Sequence, residues 1–376
     1  MRDSSDRALR AGLADLFAVP VDQPRDDETF NRAALRVFAY QYERNAPYAA
    51  FCGRRGQSPA TVDHWTDIPA VPTAAFKEVA LVAGDASAAE AVFRTSGTTQ
   101  GQEKRGVHYI PDLLLYHFAL IPNFAACVLP DGAELPMLSL IPPGAELPDS
   151  SLAHMVGVVL ERLGATGGGY YATTDAGIDD VGLVQRLREA AAAEQPVCIL
   201  GTSFSFVHVL DRLAERDERV ALPPGSRLMD TGGYKGRSRE VGRDALLELY
   251  EAFLGIPPSH CVNEYGMTEM CSQFYDSSLR DHSRGVTRQP RKLVPPWVRT
   301  RVVDPETLEP VPSGGTGLLQ HFDLANAGSV MAIQTEDLGI EVDGGFQLLG
   351  RAPGAVPRGC SIAMDILLEA VQRSPD

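Results

Sequence analysis

Residues 95–104 read Thr-Ser-Gly-Thr-Thr-Gln-Gly-Gln-Glu-Lys and are followed by Arg105. Hydroxyls and exposed backbone N–H groups supply donors, glycines allow close approach, and Lys104 with Arg105 supply positive charge. Polyphosphate needs all three. The spacing does not fit a Walker A loop, which requires Gly, four residues, then Gly-Lys-Ser or Gly-Lys-Thr, and this argues against a P-loop NTPase. By itself the segment also fits a plain polar hairpin. A second candidate is Cys360, in Arg358-Gly359-Cys360-Ser361 just ahead of a predicted helix over 362–373. The positive end of that helix and the Arg358 cation would favour thiolate, and Gly359 would leave room for a substrate. The opposing reading makes Cys360 a small buried apolar residue.

Other candidates carry less. His260, Cys261 and Cys271 invite a zinc reading, but their spacing fits no standard structural pattern and no fourth ligand is evident. Ser203 lies in Gly-Thr-Ser-Phe-Ser, which lacks the Gly-x-Ser-x-Gly elbow of a serine hydrolase. His108 and His117 stand nine residues apart around a helix start, at core or surface.

The elements that must position these groups change character along the chain. Residues 28–42 carry apolar side chains at helical spacing, and Pro69-Ala70-Val71-Pro72 breaks the pattern. Short apolar runs at 137–141, 197–200 and 226–229 then alternate with helical stretches at 151–163, 179–193, 205–216 and 239–254. That alternation predicts a layered α/β structure with a largely parallel sheet. Beyond about residue 286 strand-like runs at 298–303, 317–322, 330–334 and 346–349 are separated by Pro and Gly turns. The expected organisation is a helical N-terminal segment plus α/β core over 1–285, and a β-rich subdomain with the cysteine loop and last helix over 286–376.

The 376 residues suffice for such a core. Forty-nine acidic against thirty-four basic residues give a formal charge of −15, which argues against nucleic acid as a partner, so an anionic ligand must be met locally. No segment reads as a signal peptide or a membrane span, and six scattered cysteines without a Cys-x-x-Cys pair suit a reducing cytoplasm.

Residues 95–99, Thr-Ser-Gly-Thr-Thr, resemble the phosphate loop of the adenylate-forming superfamily of acyl-CoA synthetases, adenylation domains and luciferases. Residues 263–269, Asn-Glu-Tyr-Gly-Met-Thr-Glu, are similar to its Tyr-Gly-x-Thr-Glu motif, preceded by the Gly232-Gly233 pair. Residues 335–339, Thr-Glu-Asp-Leu-Gly, look like its Thr-x-Asp-Leu-Gly segment, and Gly350-Arg351 like the Gly-Arg that follows. The resemblance implies ATP and Mg²⁺ as cofactors. It places Thr95, Ser96, Gly97, Thr98, Thr99 and Gly101 around phosphates, with Asn263, Tyr265 and Gly266 beside adenine next to Gly232 and Gly233. It places Asp337 on the ribose hydroxyls with help from Arg351, Thr268 on the α-phosphate, and Glu269 on the metal. Either Lys104 or Arg105 would face the phosphates, because the usual Gly-x-Pro-Lys continuation is replaced by Gln-Gly-Gln-Glu-Lys.

The superfamily normally continues past the Gly-Arg segment with a domain of roughly a hundred residues that delivers a catalytic lysine; here that domain is expected to be absent. Residues 105–109, Arg-Gly-Val-His-Tyr, and 273–276, Gln-Phe-Tyr-Asp, resemble one branch, the LuxE-type acyl-protein synthetases. In that family a cysteine near the C-terminus accepts the acyl group, which implies this role for Cys360, with His108 contacting phosphate or orienting the adenylate. The implied function is ATP-dependent activation of a fatty or aromatic carboxylic acid, then transfer to a protein. Direct transfer to coenzyme A, a carrier protein or a small amine remains an alternative, as does a non-catalytic nucleotide-binding scaffold.

Overall fold

The computed structural model describes residues 4–21, 23, 26–96, 104–232, 240–352 and 358–372. Six strands form the first sheet, in the order Phe274–Tyr275, Cys261–Tyr265, Arg227–Thr231, Cys198–Thr202, Pro136–Ser139, Ala165–Tyr170. All pair in parallel except Phe274–Tyr275, which runs antiparallel to its neighbour. Strands covered on both faces read as unbroken apolar runs, and Cys198–Thr202 is buried at its first four positions. Helices Ser151–Leu163, Asp180–Ala192, Ser203–Glu215 and Arg243–Leu254 alternate with these strands as their spacing predicts. Their starts are fixed by polar caps: Ser150 accepts from Ala153 N, Asp179 from Gly182 N, and Thr202 exchanges bonds with Ser205 in a capping box.

The second sheet is antiparallel along Lys292–Leu293, Gly345–Arg351, Ala332–Val342, Thr316–Asp323 and Val298–Val303. Val71–Pro72 joins it in parallel against Ile333 and Gln334. The strand expected over 330–334 runs on to Val342, because Gly339 lets it continue across a register shift against Gly345–Arg351. A large apolar core joins the helices Asp27–Arg44, Ala46–Arg54 and Leu113–Val128 to both sheets.

The last helix spans Arg358–Gln372 and packs on Ala46–Arg54 and on Val71–Pro72. It starts four residues before the expected 362, so Cys360 sits inside its first turn rather than ahead of it.

Candidate active site

The phosphate-loop segment lies in the chain between the two strands of a hairpin. Ala91–Arg94 pairs antiparallel with Val107–Ile110, and Arg94 is opposite Val107. Thr95 closes its base, with N donating to Gly106 O at 2.9 Å and Oγ1 accepting from Gly106 N at 2.8 Å. Ser96 follows at the edge of the described residues, and Gly97, Thr98, Thr99 and Gly101 lie outside them.

The two candidate cations separate clearly. Arg105 donates from Nε to Thr95 O at 2.6 Å, from Nη2 to Arg94 O at 3.2 Å and from Nη1 to Asp149 at 2.7 Å. Its guanidinium is a clasp on the hairpin base. Lys104, 63% exposed, makes a surface pair with Glu78 at 3.2 Å.

At the carboxyl end of the first sheet, Gly232 follows Thr231 with φ +70°, a left-handed backbone that favours glycine, and its carbonyl accepts from Ser203 Oγ at 3.0 Å. Gly233 lies outside the described residues. Asn263 is held by the protein itself: Nδ2 donates to Asp230 Oδ1 at 3.0 Å and Oδ1 accepts from buried Lys292 at 2.6 Å. Lys292 also pairs with Asp276 at 3.0 Å, and Asp230 receives Arg243 at 2.6 Å. This charged cluster fixes the strand ends that carry Gly232 and Tyr265.

Tyr265 donates its hydroxyl to Asp337 Oδ2 at 2.7 Å, and Phe274, Phe346 and His321 surround its ring. Asp337 stands directly opposite Arg351 in the antiparallel ladder. Burial pushes the Asp337 carboxyl up, opposed by the Tyr265 bond and the Arg351 charge. Arg351 points its guanidinium at Glu336, 2.8 Å away. Glu269 is only 8% exposed; burial raises its carboxyl to about 7, while Arg351 and Lys77 pull it down and Asp337 pushes it up. Glu269, Asp337, Arg351 and Tyr265 therefore lie near one another, and the charge of Lys77, which no sequence pattern singled out, is felt by Glu269.

Gly266 lies against the Glu264 carboxylate, and a Cβ there would collide with it. Thr268 and Glu269 are gripped through their backbone. Thr268 O accepts from His108 Nδ1 at 2.6 Å, and Glu269 O from Asn326 Nδ2 at 2.8 Å. Asp323 receives Cys271 N at 3.0 Å and Ser272 Oγ at 2.7 Å. His108 is fully buried, with Nε2 on Asn326 Oδ1 at 2.9 Å, and burial lowers its pKa to about 4. Both ring nitrogens face oxygen acceptors inside the protein, and the neutral ring donates from Nδ1 to hold the Thr268 backbone in place. Asn326 and Asp323 carry no sequence signature, since only the fold brings their turn to this loop.

Cys360 packs against the strand Ala332–Val342, its Sγ 3.8 Å from Thr335 O, two residues from Asp337. Val303 and Leu318 pack on it, and it is 2% exposed. Burial, with Glu336 adding repulsion, pushes the thiol up to about 11. Desolvation thus opposes the thiolate that the helix end was expected to favour. The zinc reading also fails: Cys261 Sγ faces Pro257 O, Cys271 Sγ faces Asn326, and no group of three or more His, Cys, Asp or Glu side chains is gathered among the described residues.

A 2-hydroxyisobutyryl-CoA ligase, solved in an open conformation with 2-HIB-AMP and CoA, superposes with a TM-score of 0.61 over 86% of this chain and 69% of its own, at 15% identity. The fold is that of the adenylate-forming ligases. The model of the family described as acyl-protein synthetase, LuxE, matches residues 152–368, more than half of the chain, which therefore belongs to that family and is an enzyme, a ligase. Long-chain-fatty-acid–luciferin-component ligases of Vibrio harveyi and Aliivibrio fischeri are 24% and 26% identical to it, over 89% and 83% of this chain and 86% and 79% of their own.

Proposed function

We propose that this chain activates a long-chain fatty acid with ATP and passes the acyl group through Cys360 to a protein acceptor. One observation carries the reading: Tyr265, Glu269, Asp337 and Arg351 converge, and Cys360 is seated against the strand that bears Asp337. The names of the two relatives support the fatty acid and the protein acceptor.

In the first step a carboxylate oxygen attacks the α-phosphorus, the bond to the bridging oxygen breaks, and pyrophosphate leaves. Asp337 accepts from the ribose hydroxyls, Tyr265 faces adenine, and the hairpin loop with Lys104 holds the outgoing phosphates. Positioning and charge neutralisation dominate such a transfer. Glu269 fits a Mg²⁺ site. It is one hard carboxylate that gathers no metal-binding cluster among the described residues, which leaves the other positions to phosphate oxygens and water, as Mg²⁺ prefers. When bound, the ion supplies charge neutralisation at the phosphates.

In the second step the Cys360 thiol gives its proton to water, its sulfur attacks the acyl carbonyl, the C–O bond to AMP breaks, AMP leaves and a thioester forms. Burial of Cys360 favours a second reading, direct transfer of the adenylate to coenzyme A, a carrier protein or an amine. Acid-dependent pyrophosphate exchange tests activation. Labelled acid followed by denaturing electrophoresis separates the two routes, since only the thioester route marks the chain.

The six cysteines are free, which supports a reducing compartment such as the cytoplasm. Among the described residues no helix is long and apolar enough to cross a membrane.

A further inference from the structure

Lys77 lies on a short helix, Ala75–Glu78, whose two other walls are both parts of the site. On one side the chain entering this helix is hydrogen-bonded to the nucleotide strand. Val71 and Pro72 pair in parallel with Ile333 and Gln334, and Thr73 N donates to Gln334 O at 3.1 Å, one residue before Thr335. On the other side Phe76 packs edge-on against His108, centroids 5.5 Å apart, and a Cβ on Gly106 would lie 3.5 Å from the Phe76 Cβ. The helix is thus wedged between the base of the phosphate hairpin and the strand of Asp337, with Ala75 and Phe76 buried and Lys77 exposed.

We propose that Lys77 is a catalytic residue for adenylate formation, its ammonium contacting the α-phosphate where negative charge builds as pyrophosphate leaves. The inference rests on the activation reading above. The wedged helix carries Lys77 between the hairpin base and the strand of Asp337, near enough for its charge to lower the carboxyl of buried Glu269. The competing cations are tied down: Arg105 clasps the hairpin base and Arg351 is directed at Glu336. A chain carrying a net −15 needs a local cation at its anion site, and Lys77 supplies one on a rigid seat. An ammonium is a compact point charge with three donors, suited to a phosphoryl oxygen.

The test is acid-dependent ATP–pyrophosphate exchange on the full chain with Lys77→Ala, Lys77→Arg and Lys77→Cys. Lys77→Ala is expected to lower kcat roughly 100-fold, as removal of a preorganised transition-state donor does, with KM for the acid unchanged. Lys77→Arg should keep a partial rate. Aminoethylation of Lys77→Cys restores an ammonium, and because all six native cysteines are buried, modification in the native state is directed to the introduced thiol. At least tenfold rescue is expected. Exchange by folded Lys77→Ala within twofold of wild type, a raised acid KM at unchanged kcat, or no rescue would overturn the proposal. Absence of exchange in the wild-type chain with every acid would instead sink the activation reading.

Discussion

The Tyr265 hydroxyl donates to Asp337 Oδ2 at 2.7 Å and so joins the two sheets. The bond holds the Asp337 carboxyl down against the desolvation that raises it. Tyr265→Phe keeps the ring and removes this donor. Hydrogen bonds to charged groups contribute about 1.5–3 kcal/mol, of which 1.4 kcal/mol is tenfold. KM for ATP is expected to rise at least about tenfold while KM for the acid stays within twofold, measured by pyrophosphate exchange.

Cys360 yields an opposite pair of outcomes. Cys360→Ala should exchange pyrophosphate within about twofold of wild type, because the residue acts only after the adenylate exists. It should give no labelled chain on denaturing electrophoresis. In wild type, burial and a thiol raised to about 11 predict slow alkylation at neutral pH, quickening roughly tenfold per pH unit as the thiolate fraction grows toward that value. Rapid alkylation at pH 7 would mean that the helix Arg358–Gln372 is not seated as observed.

The α/β alternation and the ordered segments around Tyr265 and Asp337 were legible because they depend on local periodicity and on residues adjacent in the chain. The Asn326 grip on Glu269 and the Lys77 seat were not. Each joins positions dozens to hundreds of residues apart through one backbone carbonyl or one parallel strand pair, which leaves no mark in a local pattern. The burial of Cys360 was hidden for a different reason. Its helix end and neighbouring arginine were readable, but the apolar wall of Val303 and Leu318 comes from the other strands of the sheet.

Lys104 and Arg105 should separate by stability. Arg105→Ala removes three contacts at the hairpin base, including the Asp149 pair, and is expected to lower Tm by several degrees along with exchange activity. Lys104→Ala breaks one exposed pair worth at most about 1 kcal/mol, so Tm should hardly move. If Lys104 faces phosphate, KM for ATP rises severalfold in that variant. A change in Tm without any change in exchange would remove it from the site.

Glu264 provides a pH test that spares the nucleotide contacts. It is buried on the Cys261–Tyr265 strand, accepts from Thr231 Oγ1 on the neighbouring strand, and lies against Gly266. Desolvation raises its carboxyl from 4.5 to about 6, with the Thr231 bond and Lys292 opposing. The folded chain therefore holds this proton more tightly than the unfolded chain, and between those two values stability falls as pH rises. The cost of ionising the buried group is fully present above about pH 6 and disappears below 4.5, a swing of about 2 kcal/mol. Glu264→Gln stays neutral and can still accept from Thr231. Its urea midpoint should vary less than wild type between pH 4.5 and 6 and should exceed wild type near pH 7. Identical slopes for the two proteins across that window would mean that Glu264 is solvated rather than buried.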